Sequence, residues 1–83
     1  MITSIDFQNL TEDLKSYVLL NNGQHVAERT YGIYSIQLYA VYGFYVEVYY
    51  LPGSDEIDQI LAVNSDEILE LYLDNIEITD IYM

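Results

Sequence analysis

The sequence has no cysteine and no tryptophan, and it has one proline among its 83 residues. Without cysteine, neither a disulfide nor a zinc site with thiolate ligands can hold the fold, and nothing indicates an oxidising compartment. No basic start followed by an apolar run predicts a signal peptide, and no apolar run approaches the length of a membrane span. The sequence therefore predicts a soluble, cytoplasmic protein that forms a single α+β domain over residues 1–83.

Positive charge is also scarce. Lys15 and Arg29 stand against fourteen acidic residues, which leaves a net charge of −12. Proteins that bind nucleic acids neutralise phosphates with lysine and arginine, so direct binding to nucleic acid is excluded. Docking on anionic membranes is excluded for the same reason. Two interpretations of the charge stay open, namely solubility and recognition of a basic protein partner.

Motifs for catalysis or for cofactor binding are missing as well. The single histidine, His25, has no serine or carboxylate at a motif spacing, and the chain contains no nucleophile elbow, phosphate-binding glycine loop or HExxH. Asp55, Glu56 and Asp58 crowd one turn, but they do not have the alternate spacing of an EF-type calcium loop. We interpret them as a solvated turn, and we expect no enzyme, no catalytic residue, no metal site and no cofactor.

The N-terminal part, residues 3–22, has a helical pattern in two pieces. Ser4 is predicted to cap a short turn that runs through Asn9, and Thr11 is predicted to cap a longer helix. A stop is expected at Gly23, because glycine adopts the left-handed conformation that often ends helices. The apolar face predicted for the longer helix consists of Leu14, Tyr17 and Val18.

From Val26 onward the apolar pattern alternates, which predicts strands. The segments 26–31, 34–41, 44–51 and 57–63 are separated by turns and form a four-stranded antiparallel β-meander. A three-residue loop, Val41-Tyr42-Gly43, is expected between the two central strands, with its glycine left-handed. This loop fixes a register in which Leu38 faces Val46 and Tyr39 faces Tyr45.

A C-terminal helix follows the meander, with Asn64 as its predicted cap and Glu67 completing a capping box. Its acidic residues are spaced three, four and three apart, which predicts a single row on an α-helix. The row consists of Glu67, Glu70, Asp74 and Glu77. Like charges at these spacings destabilise a helix by about 0.2–0.5 kcal/mol per pair. The row is therefore either a solvated face or a docking face for a basic protein.

Tyrosines form the second candidate surface. Ten of the 83 residues are tyrosine, and Tyr39, Tyr45 and Tyr49 are predicted to share the face of the hairpin opposite its aliphatic residues. If the helices cover one side of the sheet, these tyrosines are exposed and suit a symmetric homodimer. If one helix covers each side, they belong to the core. Arg29 and Glu47 are expected to pair across the sheet, as a structural ion pair rather than a ligand site.

The segments GQHVAER, YSIQLYAVYGFYVEVYY and LYLDNI resemble a family of short uncharacterised bacterial proteins common in Bacteroidota. Members carry a glycine, an apolar-Ala-x-Arg segment and a hairpin that ends in a VEVWY-like strand. The matching positions here are Gly23, Ala27, Arg29, Phe44, Val46, Glu47, Val48 and Tyr49. Many relatives have tryptophan where this chain has Tyr49. The family has no assigned activity, so the resemblance implies the β-meander and no mechanism.

Together these features predict a non-catalytic, acidic protein-interaction module. It would act through the tyrosine face in a homodimer, or through the acidic helix with a basic partner. The alternative is a DNA-mimic inhibitor, in which carboxylates on the C-terminal helix take the place of phosphates on a basic nucleic-acid-binding protein.

Overall fold

The computed structural model describes residues 2–75, and the side chains of residues 2–73, as an α+β fold. Its elements are α1 (Ser4–Gln8), α2 (Glu12–Asn22), β1 (Gly23–Tyr31), β2 (Tyr34–Val41), β3 (Phe44–Tyr50), β4 (Ile57–Val63) and a 3-10 helix (Asp66–Asn75). The four strands lie in sequence order and all pair antiparallel. The predicted four-stranded β-meander, with helical structure before and after it, is confirmed.

Both N-terminal helices begin at threonine caps. The Thr3 hydroxyl accepts a hydrogen bond from the Asp6 backbone N–H, and the Asp6 carboxylate accepts one from the Thr3 N–H, each at 3.1 Å. Thr3 therefore caps α1, and the prediction of Ser4 was wrong by one residue. The prediction of Thr11 is confirmed, because its hydroxyl accepts from the Leu14 N–H at 3.2 Å.

The inner side of α2 differs from the predicted face. Val18 and Leu19 pack against the core, whereas Leu14 is 50% exposed and Tyr17 is 64% exposed. Because α2 continues into β1 without a loop, the path of β1 determines which side of α2 faces the sheet. Gly23 has an extended backbone with φ −84°, and it does not adopt the left-handed conformation that the sequence predicted.

The register between β2 and β3 also differs by one residue from the prediction. Val41 pairs with Phe44, so the loop contains two residues, and Tyr42 takes the left-handed conformation with φ 55°. Leu38 consequently faces Glu47, and Tyr39 faces Val46. The prediction had assigned the left-handed position to glycine and had therefore added a residue to the loop.

Each face of the sheet is covered by helical structure. On the face that we call the α-face, Phe7 of α1 and the inner residues of α2 cover a buried aliphatic cluster. The strand members of that cluster are Val41, Phe44, Val46, Val48 and Ile60. On the opposite face, the 3-10 face, Tyr72 packs with Ala27 and Leu38. Of the two arrangements expected from the sequence, the fold is therefore the one in which helical structure covers both faces of the sheet. Most of the apolar side chains of the strands are shielded from solvent.

The C-terminal segment winds as a 3-10 helix rather than an α-helix. Ser65 lies at its start, where its hydroxyl accepts a hydrogen bond from the Glu67 N–H at 3.2 Å. The predicted cap at Asn64 was therefore one residue early. Three residues per turn bring Ile68, Leu69 and Tyr72 towards the sheet, while Leu73 is 48% exposed.

Candidate functional site

A buried ionic cluster lies between the sheet and the 3-10 helix. Arg29 of β1 reaches over β2 to Glu47 of β3, and its Nη2 and Nε atoms donate to Glu47 Oε2 at 3.0 and 3.2 Å. The two side chains are 12% and 4% exposed. The Tyr72 hydroxyl donates to the same carboxylate oxygen at 2.6 Å, and the Tyr72 ring lies 5.3 Å from the guanidinium carbon. The predicted Arg29–Glu47 pair is confirmed.

The electrostatics of this cluster favour a fixed set of protonation states. Burial, followed by the hydrogen bond to Glu47, raises the pKa of the Tyr72 hydroxyl. Burial, followed by the negative charge of Glu47, raises the pKa of Tyr49. Burial alone would lower the pKa of Arg29, but hydrogen bonds to Tyr72 and Glu47 raise it overall. The tyrosines therefore stay protonated and Arg29 stays charged at neutral pH.

Tyr72 is the member of this cluster whose role the sequence reasoning missed. Tyr72 falls within the predicted C-terminal helix, and the sequence suggested no partner for its hydroxyl. A buried tyrosine hydroxyl usually finds an acceptor, and Glu47 is the one carboxylate within the predicted strands of the hairpin. These two facts together could have indicated the contact.

The structure does not bring the three predicted interface tyrosines together. Tyr39 lies on the α-face, where it packs against the cluster under the helices. Tyr45 and Tyr49 lie on the 3-10 face, where Tyr45 packs with the Tyr72 group and Tyr49 contacts the Tyr34 ring. All three are partly buried. The prediction of one shared tyrosine face was wrong because the register is shifted by one residue.

Two of the four residues of the predicted acidic row, Glu67 and Glu70, have described side chains. Glu67 and Glu70 are exposed and lie one 3-10 turn apart, and the next residue in that row is the half-exposed Leu73. The side chain of Asp74 and the whole of Glu77 lie outside the described residues. Within the described part, two carboxylates form the row.

A cleft opens on the α-face between α2 and the turn that joins β3 to β4, and we call it the α-face cleft. Tyr39, Tyr50 and Ile57 line both of its lobes. The lobe beneath α2 has a volume of about 440 Å³ and is bounded by Leu19, Leu20 and His25, among others. The lobe beside the turn has a volume of about 680 Å³, and residues 51–55 form its far wall. The sequence analysis had not combined these residues, because helix and turn meet only in the folded chain.

Polar groups of the cleft are arranged at its rim. His25 Nε2 lies 2.6 Å from Gln37 Oε1, and the His25 ring meets the Tyr39 ring edge-on at 5.4 Å. At the other end, Asp55 is exposed and belongs to the wall of the turn. Burial raises the pKa of Tyr50, and the neighbouring Tyr39 and Asp55 raise it further. The cleft thus has an aromatic floor with a carboxylate at one end.

Neither a metal site nor a membrane-spanning helix is found within residues 2–75. No three histidine or acidic side chains in that range lie close enough together to hold a metal ion. No helix in the same range has the length and apolar character needed to cross a membrane. No family model, curated protein or solved structure matches the chain.

Proposed function

We propose that this chain is a non-catalytic interaction module whose acidic surface binds a basic protein. The observation that supports this most strongly is the position of Arg29. Because Arg29 and Glu47 neutralise each other inside the fold, the net charge of −12 arises from the thirteen other acidic residues and Lys15. One of the two basic residues is therefore unavailable to offset the surface carboxylates, and the field outside the protein is one-signed.

The state of the ionisable groups also favours binding over catalysis. Glu47, the buried carboxylate, already accepts hydrogen bonds from Arg29 and Tyr72 and faces neither lobe of the α-face cleft. His25 contacts Gln37 and has no nucleophilic side chain as its partner. A general acid or base needs a free position beside a substrate, and these groups are engaged in structural contacts.

The geometry gives less support to nucleic-acid mimicry. A nucleic-acid mimic requires a continuous series of carboxylates in place of successive phosphates. On the 3-10 helix, the residue that follows Glu67 and Glu70 in the row is the apolar Leu73. Homodimerisation through a shared tyrosine face loses its basis as well, because Tyr39 lies on the opposite face from Tyr45 and Tyr49. A basic protein, recognised by charge together with apolar contacts, fits the described surface better.

The test is affinity capture from a lysate with the whole chain as bait, at about 0.05 M and about 0.5 M salt, followed by mass spectrometry. We expect a basic protein to be retained at the lower salt concentration and released at the higher one. Capture of no basic protein at either salt concentration would refute the proposal.

Two charge-matched variants separate a defined surface from general attraction. Glu12→Gln with Asp13→Asn removes two charges from the start of α2, and Glu67→Gln with Glu70→Gln removes two from the 3-10 helix. If one pair lowers capture more than the other, the partner contacts that surface. If both lower capture equally, the partner responds to total charge, and the proposal of a specific module would be wrong.

A further inference from the structure

The α-face cleft combines the two features that recognise an organic cation, namely aromatic rings and a carboxylate. We propose that it binds one lysine or arginine side chain of the basic partner, together with an apolar residue beside it. This inference rests on the proposed function and adds a binding site to it.

The α-face cleft has the size and the aromatic floor of a ligand site. The lobes of about 680 and 440 Å³ lie within the range of about 300–1,000 Å³ that is usual for ligand sites. Tyr39 and Tyr50 line both lobes and remain partly exposed, so their rings are accessible from the cleft. A cation close to a tyrosine ring is attracted by the negative face of the ring. Leu19, Leu20 and Ile57 offer an adjoining apolar wall.

The charge at the cleft favours a cation. Asp55 belongs to the wall of the larger lobe, and the lining of the two lobes includes no lysine or arginine. A cation that enters over Tyr50 therefore meets a carboxylate and no competing positive charge. Asp55 and Tyr50 line the same lobe of the cleft.

The cation is best supplied by another protein. The chain has two basic residues, and Arg29 is already paired with Glu47 on the opposite face of the sheet. A second copy would bring the same buried Arg29, a single lysine (Lys15) and another large negative charge, so it is a poor occupant. A free amine would leave the apolar lobe beneath α2 empty. A peptide segment of a basic protein, with an apolar residue next to its arginine or lysine, matches both lobes.

The test uses the ¹⁵N-labelled full chain and capped peptides that differ at one feature each. The first probe has the centre Leu-Arg-Leu, the second Gly-Arg-Gly and the third Leu-Gln-Leu. We expect the first probe to bind most tightly and to shift the backbone resonances of Tyr39, Tyr50 and Asp55. Equal affinities for the first and third probes, or shifts confined to other parts of the chain, would overturn the proposal.

Asp55→Asn and Asp58→Asn form the matched pair of variants. Each removes one exposed carboxylate from the same stretch of chain, but only Asp55 lines the cleft. We expect Asp55→Asn to weaken the binding of Leu-Arg-Leu about threefold or more, as is usual for an exposed ion pair, and Asp58→Asn to change it little. Equal weakening by both would show that only the overall charge matters and would refute the site.

Two further outcomes separate the inference from the proposed function. If free arginine amide binds as tightly as Leu-Arg-Leu, the cleft recognises a small cation, and the assignment to a partner protein is wrong. If a basic protein is captured equally by the parent chain and by Asp55→Asn, the interaction function stands and the cleft is not its site.

Discussion

At the scale of single residues, Glu47 is the position on which most contacts converge. Its carboxylate is 4% exposed, its Oε2 accepts two hydrogen bonds from Arg29 and one from Tyr72, and its Oε1 accepts a longer one from the Tyr49 hydroxyl at 3.4 Å. A buried carboxylate is strongly unfavourable unless its charge and lone pairs are matched, and this set of donors matches them. The contact also fixes the 3-10 helix to the sheet, since Tyr72 belongs to that helix.

Tyr72→Phe removes the hydroxyl that donates to Glu47 and leaves the ring in place. We expect a loss of about 1–2 kcal/mol in the free energy of unfolding, because a hydrogen bond to a charged group is removed. Urea denaturation measures the change. Tyr49→Phe is the control, because its hydroxyl lies 3.4 Å from Glu47 Oε1 and should contribute less than about 0.5 kcal/mol. Similar losses in the two variants would contradict the assigned contacts.

Alkaline pH offers an independent measurement on Tyr72. Burial raises the pKa of its hydroxyl in the folded protein, so the folded state holds this proton more tightly than the unfolded chain does. The corresponding stability is complete below the ordinary tyrosine pKa of about 10 and is lost as the pH rises towards the folded pKa.

We therefore expect the free energy of unfolding to fall above about pH 10, with a contribution from Tyr72 of up to about 1.4 kcal/mol per pH unit. In Tyr72→Phe the free energy of unfolding should decrease less steeply with pH. Tyr49 and Tyr50 also have raised pKa values, so they should account for part of the decrease that remains. Denaturant titrations between pH 8 and about pH 11 test this. Parallel curves for the two proteins would show that Tyr72 is not buried as described.

At the scale of elements, the junction between α2 and β1 determines how the helices lie on the sheet. The Gly23 N–H donates to the Leu19 carbonyl, and the chain passes directly from helix to strand. A Cβ atom at Gly23 would lie 2.6 Å from the Leu19 carbonyl oxygen, which is backbone and cannot easily move. The glycine is therefore required by close approach and not by a left-handed conformation.

Gly23→Ala should destabilise the fold by about 1–3 kcal/mol, because the helix and strand must separate to admit the methyl group. Thermal unfolding followed by circular dichroism measures the loss. Gly43→Ala is the matched control, since no heavy atom lies within 4 Å of a Cβ at that position and its φ is not positive. We expect that variant to change stability by less than about 1 kcal/mol. An unchanged melting temperature in Gly23→Ala would contradict the described junction.

At the scale of the whole molecule, the chain has a net charge of −12, and one of its two basic residues is paired inside the fold. Repulsion among exposed carboxylates opposes the compact state, and salt screens it. The Debye screening length is about 30 Å at 0.01 M ionic strength and about 8 Å at 0.15 M. The repulsion between carboxylates should therefore weaken over this range of salt concentration.

We expect the melting temperature to rise by about 4–8 °C between 0.01 M and 0.15 M sodium chloride, which corresponds to about 1 kcal/mol for a domain of this size. Differential scanning calorimetry in chloride avoids the added effect of sulfate on burial. Glu67→Gln with Glu70→Gln should reduce the rise. A melting temperature that stays flat across this range would show that the carboxylates are not under electrostatic strain.

Local chemistry in the sequence determined the order of the elements and, except for the 3-10 winding of the C-terminal helix, their type. Thr11 caps α2, alternating apolar residues form four strands, and glycines mark the turns, because each of these effects acts over a few neighbouring residues. The Arg29–Glu47 pair could also be predicted, since an isolated charge within an apolar strand needs an opposite charge nearby.

Tertiary structure alone decided the register, the faces and the candidate site. Apolar residues occur on both faces of β2 and β3, so the alternation could not show which face was buried, and one left-handed residue, Tyr42, shifted the pairing. The contact of Tyr72 with Glu47 and the cleft over Tyr39 and Tyr50 join residues far apart in the chain. Long-range packing sets such contacts, and no local pattern in this sequence encodes them.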